Sequence, residues 1–262
     1  MKRMLAFAKR NSLEMLRDPV IYIFCLGFPV VMILLFQVIN SFTAGQTPVF
    51  EAPSLIPGIM MFSFTFVMLL VSLLVSKDRT SAFLIRLYTS PMRTSDFVLG
   101  YTLPCFVVGI GQEIVCLLTG LFVSLATGGA YFGFSAAMLL MVEMLPMLLI
   151  CIFLGVLFGS VLNDKSAPGI TSVFITAAGL LGGAWMPLDT MGGFETFCRF
   201  LPFYPSVYIG RAITGGVHTV GAAPYAFDSV AALGVIPIVV FLTVALFLGL
   251  FAFKAKMRSD KK

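Results

Sequence analysis

Long apolar runs, separated by short polar breaks, dominate the pattern along this chain. Six of them reach about the 20 residues a helix needs to cross a bilayer. They lie at about 20–40, 54–76, 98–125, 134–161, 168–186 and 229–253. The third and fourth exceed that minimum and are expected to tilt or protrude. The pattern therefore predicts an all-α polytopic membrane protein with six transmembrane helices. A single domain covers 1–262: an N-terminal interfacial helix at 1–19, six spans over 20–253 and a tail at 254–262. A signal peptide has an apolar stretch of only about 7–15 residues close to the chain start. The first run here is longer and begins at residue 20, so it reads as a span.

The polar breaks have patterns of their own. In "MKRMLAFAKRNSLEMLRDP", Met1, Met4, Leu5, Ala8, Met15 and Leu16 share one helical stripe, while Arg3, Arg10, Glu14 and Arg17 fall opposite. Such a helix suits the membrane interface, with its bases toward anionic headgroups. Asp18 is placed to cap the first span, with Pro19 in its first turn. Residues 41–53 and 127–133 make short connections. Residues 187–228 make a long one, rich in aromatics, Gly and Pro, which predicts short helices dipping into the membrane surface.

Composition moves this picture in one direction. Hydrophobic residues make up 59% of the chain and charged ones 11%, with mean hydropathy +1.03. A soluble domain carries about 25% charged residues, so the solvent here is lipid. The formal charge is +5, and its distribution matters more than its size: with six alternating spans, 15 of the 17 basic residues fall on one side, leaving only Arg199 and Arg211 opposite. The positive-inside rule then puts both termini in the cytoplasm. Topology accounts for the bases, and no nucleic-acid partner is implied. Four of the five cysteines lie inside apolar runs and none forms a CxxC pair, so neither a metal site nor a disulfide framework is expected.

The break "KDRTSAFLIRLYTSPMRTSDF", residues 77–97, is the odd one. Nothing interrupts a helix from Arg79 to Tyr88, and Pro91 ends it. Phe83, Leu84 and Leu87 give this short helix an apolar face, and Arg79 and Arg86 share one of its sides. Thr94 and Ser95 offer caps for the third span, and Asp96 suits its positive end. The pattern has two readings: a basic cytoplasmic loop that only sets topology, or, since such a loop can be shorter and needs no apolar cluster framed by charge, a partner surface.

Absences carry weight as well. The chain has no GxxxxGK[ST] phosphate loop, no HExxH and no GxSxG, and its one histidine is His218 in the long outer loop. No catalytic activity of its own and no bound cofactor are expected. Glu113 and Glu143 sit mid-span with no basic residue near in sequence. An ionised carboxyl there costs roughly 2.5–3.5 kcal/mol. Each is therefore a candidate for the translocation path, as substrate contact or proton relay, or else a protonated side chain bonded to a neighbouring helix. Gly155 and Gly159 form a GxxxG, and Ala178/Gly182 and Gly179/Gly183 form overlapping small pairs, all suited to close helix packing within the subunit or at a dimer seam.

Four motifs in order resemble the permease subunits of the ABC-2 transporter family. They are "MLRDP" at 15–19, "PGI" at 57–59, "LIRLYTSPMRTSDFVLGY" at 84–101, and "GLLGGAWMPLDTM" at 179–191 followed by "FLPFYP" at 200–205. One departure is Gly192, where that family often has Pro. The resemblance implies two permease domains, a second copy or a paralogue, paired with two ATP-hydrolysing subunits that hold ATP and Mg. It implies that the loop after the second span is a coupling helix, in which Arg79, Phe83, Leu84, Arg86 and Leu87 contact the ATPase. It further implies a prokaryotic plasma (inner) membrane exporter in contact with membrane lipid. The apolar spans suit a hydrophobic or amphipathic substrate. The competing reading is a self-sufficient proton-coupled transporter using Glu113 or Glu143, although no internal repeat supports it.

Overall fold

The computed structural model describes residues 2–19, 21–43, 47–80, 94–217 and 222–259. All regular structure among them is helical. Nine α-helices follow in order: α1 Lys2–Met15, α2 Phe28–Phe42, α3 Ala52–Thr80, α4 Thr94–Thr127, α5 Phe134–Val161, α6 Ala167–Leu181, α7 Gly193–Cys198, α8 Phe203–Thr214 and α9 Ser229–Ser259. A π-helical stretch, Ile21–Gly27, leads into α2. Pro29 lies at the start of α2 and has no N–H for the carbonyl one turn back, so the hydrogen-bond ladder changes register there.

Among the described residues, five helices are long and apolar enough to cross a membrane: Tyr22–Phe42, Ala52–Thr80, Ser95–Thr127, Phe134–Val161 and Ser229–Lys256. The expected fifth span, 168–186, is the exception. Its helix, α6, has only 15 residues, or about 22 Å at 1.5 Å per residue, against a hydrocarbon core of about 30 Å. It stops because Gly183 takes φ +61°, a left-handed conformation in which a Cβ would also meet Leu188 and the Met186 carbonyl. The chain then runs through α7 and returns as α8. Phe203, at the start of α8, packs edge-on against Phe174 of α6, 5.8 Å between ring centres. The far end of α8 lies beside Pro53, whose carbonyl accepts a hydrogen bond from the Thr214 hydroxyl.

α3 is the axis of the bundle. It is buried along nearly its whole length, whereas α2 and α9 turn most of their surface outward. α5 runs parallel to α3 and is its closest partner. A Cβ on Gly155 would sit 2.6 Å from the Met68 carbonyl, and one on Gly159 would sit 2.7 Å from the Ser72 carbonyl. The GxxxG of α5 is therefore a contact within the chain, with backbone against backbone. Near the other end of α3, a Cβ on Gly58 would fall 2.0 Å from the Ala184 carbonyl oxygen.

The two ends of the bundle have opposite characters. The N-terminal helix, the last turn of α3, the start of α4 and the end of α9 meet at one end. Phe97 lies 5.8 Å from Phe7 and 6.4 Å from Phe253, measured between ring centres. This is the basic end. α7, α8 and the loops around them gather at the other, the far end.

α1 does not keep the stripe expected of it. Phe7, Ala8, Asn11 and Met15 are buried against the bundle, whereas Leu5 and Leu16 are 48% and 61% exposed. Phe7 and Asn11 belong to the inward face because α4 offers them partners. The Phe7 ring occupies the place a Cβ would take on Gly100. The Asn11 side-chain amide donates to the Gly100 carbonyl at 3.0 Å.

Candidate functional site

The last turn of α3 carries consecutive residues of opposite charge, Asp78 and Arg79, and the fold ties each to different helices. Asp78 is 2% exposed. Its carboxylate takes both Arg10 guanidinium nitrogens, at 2.7 and 3.0 Å, and the Tyr101 hydroxyl at 2.8 Å. Bidentate pairing of this kind fixes geometry as well as charge. Arg10 also meets Glu14 one turn on at 2.7 Å, and Glu14 takes the Lys77 ammonium at 3.0 Å. Burial pulls the Arg10 guanidinium down, but the hydrogen bond and charge of Asp78 outweigh it and hold the group above its ordinary value. One carboxylate thus joins α1, α3 and α4.

Arg79 points the other way. Its guanidinium donates to the Gly159, Ser160 and Leu162 carbonyls at 3.0, 2.5 and 3.3 Å. These are carbonyls at the C-terminal end of α5, where a helix leaves acceptors unsatisfied and its dipole favours a cation. Both flanks of residues 81–93 are therefore anchored: the α3 side through Asp78 and Arg79, the α4 side through Gly100 and Tyr101. Beside the anchor lies an open cleft of about 700 Å³ whose lining includes Arg10, Glu14, Arg17, Asp18 and Lys77.

The far end carries a second polar network. Arg211 is fully buried. Its Nε donates to the Ser54 carbonyl and its Nη2 to the Gly183 carbonyl, both at 2.9 Å, and its guanidinium lies 5.6 Å from the centre of the Tyr225 ring. Tyr225 and Tyr204 both donate to Asp189, and Tyr204 also donates to Glu195 at 3.0 Å, which pairs with Arg199. Burial and the neighbouring carboxylates push the Tyr204 and Tyr225 hydroxyls up. Tyr208 is pushed up to about 12 by burial and by its bond to Asp228. This network joins α3, the end of α6, α7, α8 and the loop before α9.

The structure places the sequence-predicted residues unevenly. Phe83, Leu84, Arg86 and Leu87 lie in 81–93, outside the described residues, as does His218. Arg79 reaches α5 carbonyls. Gly155 and Gly159 face α3. Gly179 lies against Phe62 and Trp185, and Gly183 ends α6 rather than packing inside a helix. Glu113 is fully buried, and neither its carboxyl oxygens nor those of Glu143 have a hydrogen-bond partner among the described residues. The sequence reading gave no role to Asp78 or Tyr101, had Gly58 only as part of the "PGI" motif, and counted Arg211 only as a base on the side opposite most of the others. Asp78 carried a signal, a lone acid at the end of an apolar run. Arg211 carried one too, a base between two apolar residues in "YIGRAIT".

The family model described as ABC-2 type transporter matches residues 2–214, most of the chain. No curated protein matches the chain closely enough to stand as a relative.

Proposed function

Since this chain belongs to the ABC-2 type transporter family, we propose that it is the membrane-spanning subunit of an ATP-driven exporter, worked through residues 81–93. The partner is an ABC ATPase subunit in two copies, which binds ATP and Mg, and the permease pairs with a second copy of itself or a paralogue. Both termini and the basic end face the cytoplasm of a prokaryotic inner membrane. The cargo is hydrophobic or amphipathic.

The anchoring of both flanks of 81–93 carries this reading. A push on that segment from a closing ATPase enters α3 and α4 together, because Asp78 holds Arg10 and Tyr101 at once. Arg79 passes it to α5. Close backbone contact at Gly155 and Gly159 leaves no slack between α3 and α5, and packed interiors transmit displacement because they compress little. The axial helix then moves relative to the outward-facing α2 and α9, and the path opens alternately to the two sides. Arg86, Phe83, Leu84 and Leu87 make the contact with the ATPase, and no group of this chain takes part in ATP hydrolysis.

Co-purification with the ATPase, followed by ATP-dependent transport in vesicles, tests the proposal. Arg86→Glu with Phe83→Ala is expected to release the ATPase while leaving the chain folded. Transport by this polypeptide alone, driven by a pH gradient, would overturn it in favour of a proton-coupled mechanism.

A further inference from the structure

The layer around Glu113 and Glu143 is short of donors. Antiparallel packing of α4 on α5 sets Gly109 against Leu148, where a Cβ on the glycine would meet the Leu148 side chain at 2.3 Å. One turn outward on α4, Glu113 lies close enough to Glu143 of α5 for the two carboxyls to act on each other electrostatically. Gln112 and Ser63 border the pair. The Gln112 amide nitrogen donates to the Ser63 carbonyl at 3.0 Å, which leaves its own oxygen unused. Five buried side-chain oxygens at this level have no hydrogen-bond partner among the described residues: two each on Glu113 and Glu143, with Gln112 Oε1. Gln112, Glu113 and Ser63 are fully buried. Buried polar atoms without partners are uncommon, and a cluster of them calls for a group that supplies donors.

A groove of about 330 Å³ lies just outward of this layer, between the same two helices and the loop that joins them. Leu117, Leu118 and Met138 are among its walls, and Ile114 and Met141 form its inner end, beside Glu113 and two residues before Glu143. Leu118 and Met138 are partly exposed on the lateral surface, so the groove opens toward lipid rather than toward either end of the bundle. Apolar walls with a cluster of acceptors next to their inner end match a molecule with an apolar body and a cationic, donor-bearing head.

We propose that the α4–α5 groove and the Glu113–Glu143 layer form a binding site for an amphipathic primary amine that arrives from the bilayer, its ammonium N–H groups on the two carboxyls and its apolar body along Leu117 and Met138. This deepens the transport reading and rests on it only in calling the amine a cargo. Binding itself is measured on the chain without its ATPase, so failure of either claim leaves the other standing.

The test uses the full chain in lipid nanodiscs, with dodecylammonium as the probe and dodecanol as its uncharged match. Dicyclohexylcarbodiimide modifies carboxyl groups in apolar surroundings, and peptide mass spectrometry reads the modification at Glu113 and Glu143. Dodecylammonium is expected to suppress labelling at both residues and dodecanol to leave it unchanged. Glu113→Gln with Glu143→Gln removes the charge-assisted hydrogen bonds and should weaken dodecylammonium binding by about tenfold or more, with dodecanol binding preserved. The wild-type protection result stands even if the double variant does not fold. Absent labelling, equal protection by the alcohol, or unchanged amine affinity in a folded double variant overturns the assignment.

Discussion

The two ends of the bundle both fasten the same helix, by different chemistry. At the basic end α3 is held by its own side chains: Asp78 takes guanidinium and phenol donors, and Arg79 gives to carbonyls. At the far end α3 contributes the Ser54 and Pro53 carbonyls, which take donors from Arg211 and Thr214 of α8, and the Ser54 hydroxyl, which exchanges hydrogen bonds with the Val217 backbone. The bidentate partner of Asp78, Arg10, is 37% exposed through its side chain, whereas Arg211 is sealed. Salt and water screen a partly exposed pair and leave a buried one unrelieved if a partner is lost. The contacts of the basic end are accordingly the easier ones to rearrange. The far end is built to stay closed around α6, α7 and α8.

The largest expected effect lies at the far end, in the fold itself. Gly58→Ala drives a Cβ to 2.0 Å from the Ala184 carbonyl oxygen, a backbone atom that has no rotamer to escape into. The cost is expected at or beyond the upper end of the roughly 1–3 kcal/mol of ordinary overpacking. Thermal unfolding of the purified chain, followed by the fluorescence of its single tryptophan, reads the loss. Trp185 packs 4.9 Å from Phe62, on the stretch of α3 next to the clash.

Arg211→Met comes next. It keeps the apolar stem but strands the Ser54 and Gly183 carbonyls, and hydrogen bonds from a charged group are worth about 1.5–3 kcal/mol each. A loss of about 3 kcal/mol in the same unfolding experiment is expected. A loss below about 1 kcal/mol, the scale of an ordinary neutral hydrogen bond, would mean that the far end is not held by this residue.

At the basic end the effect moves from stability to coupling. Asp78→Asn keeps the shape but loses the charge that Arg10 needs. The assembled complex should keep its ATPase and its ATP hydrolysis while transport falls by about tenfold, the equivalent of some 1.4 kcal/mol. Equal transport by variant and wild type would show that the load does not pass through Asp78.

The smallest effect is a pH dependence at the far end. Burial works against the charged form of Asp228, yet hydrogen bonds from the Ala231 and Val230 amides and the Tyr208 hydroxyl hold its carboxyl below the usual value. The stability it adds is therefore full above the ordinary carboxylate pKa and fades as pH falls through its lowered folded value. Asp228→Asn should destabilise the chain slightly at neutral pH, and the difference from wild type should vanish in acid.

Some of the site was legible in the sequence because it depends on local composition. Asp96 lies in the first turn of α4, where its charge was expected. The close packing of Gly155 and Gly159 was readable as a small-residue pair, though not which helix they face. Asp78 and Arg211 were legible only as charges in awkward places, because their partners stand 68 residues away at Arg10 and 157 residues away at Ser54.

By itself, the sequence determined the solvent, the helical class and the segregation of charge, because hydropathy and basic residues act through the bilayer one segment at a time. Only the tertiary structure decided that the fifth apolar run stops short at Gly183, that Phe7 and Asn11 face inward, and that Glu113 and Glu143 come within electrostatic reach of each other. Each of those depends on which backbone lies opposite, and packing between segments distant in the chain leaves no periodicity within either one.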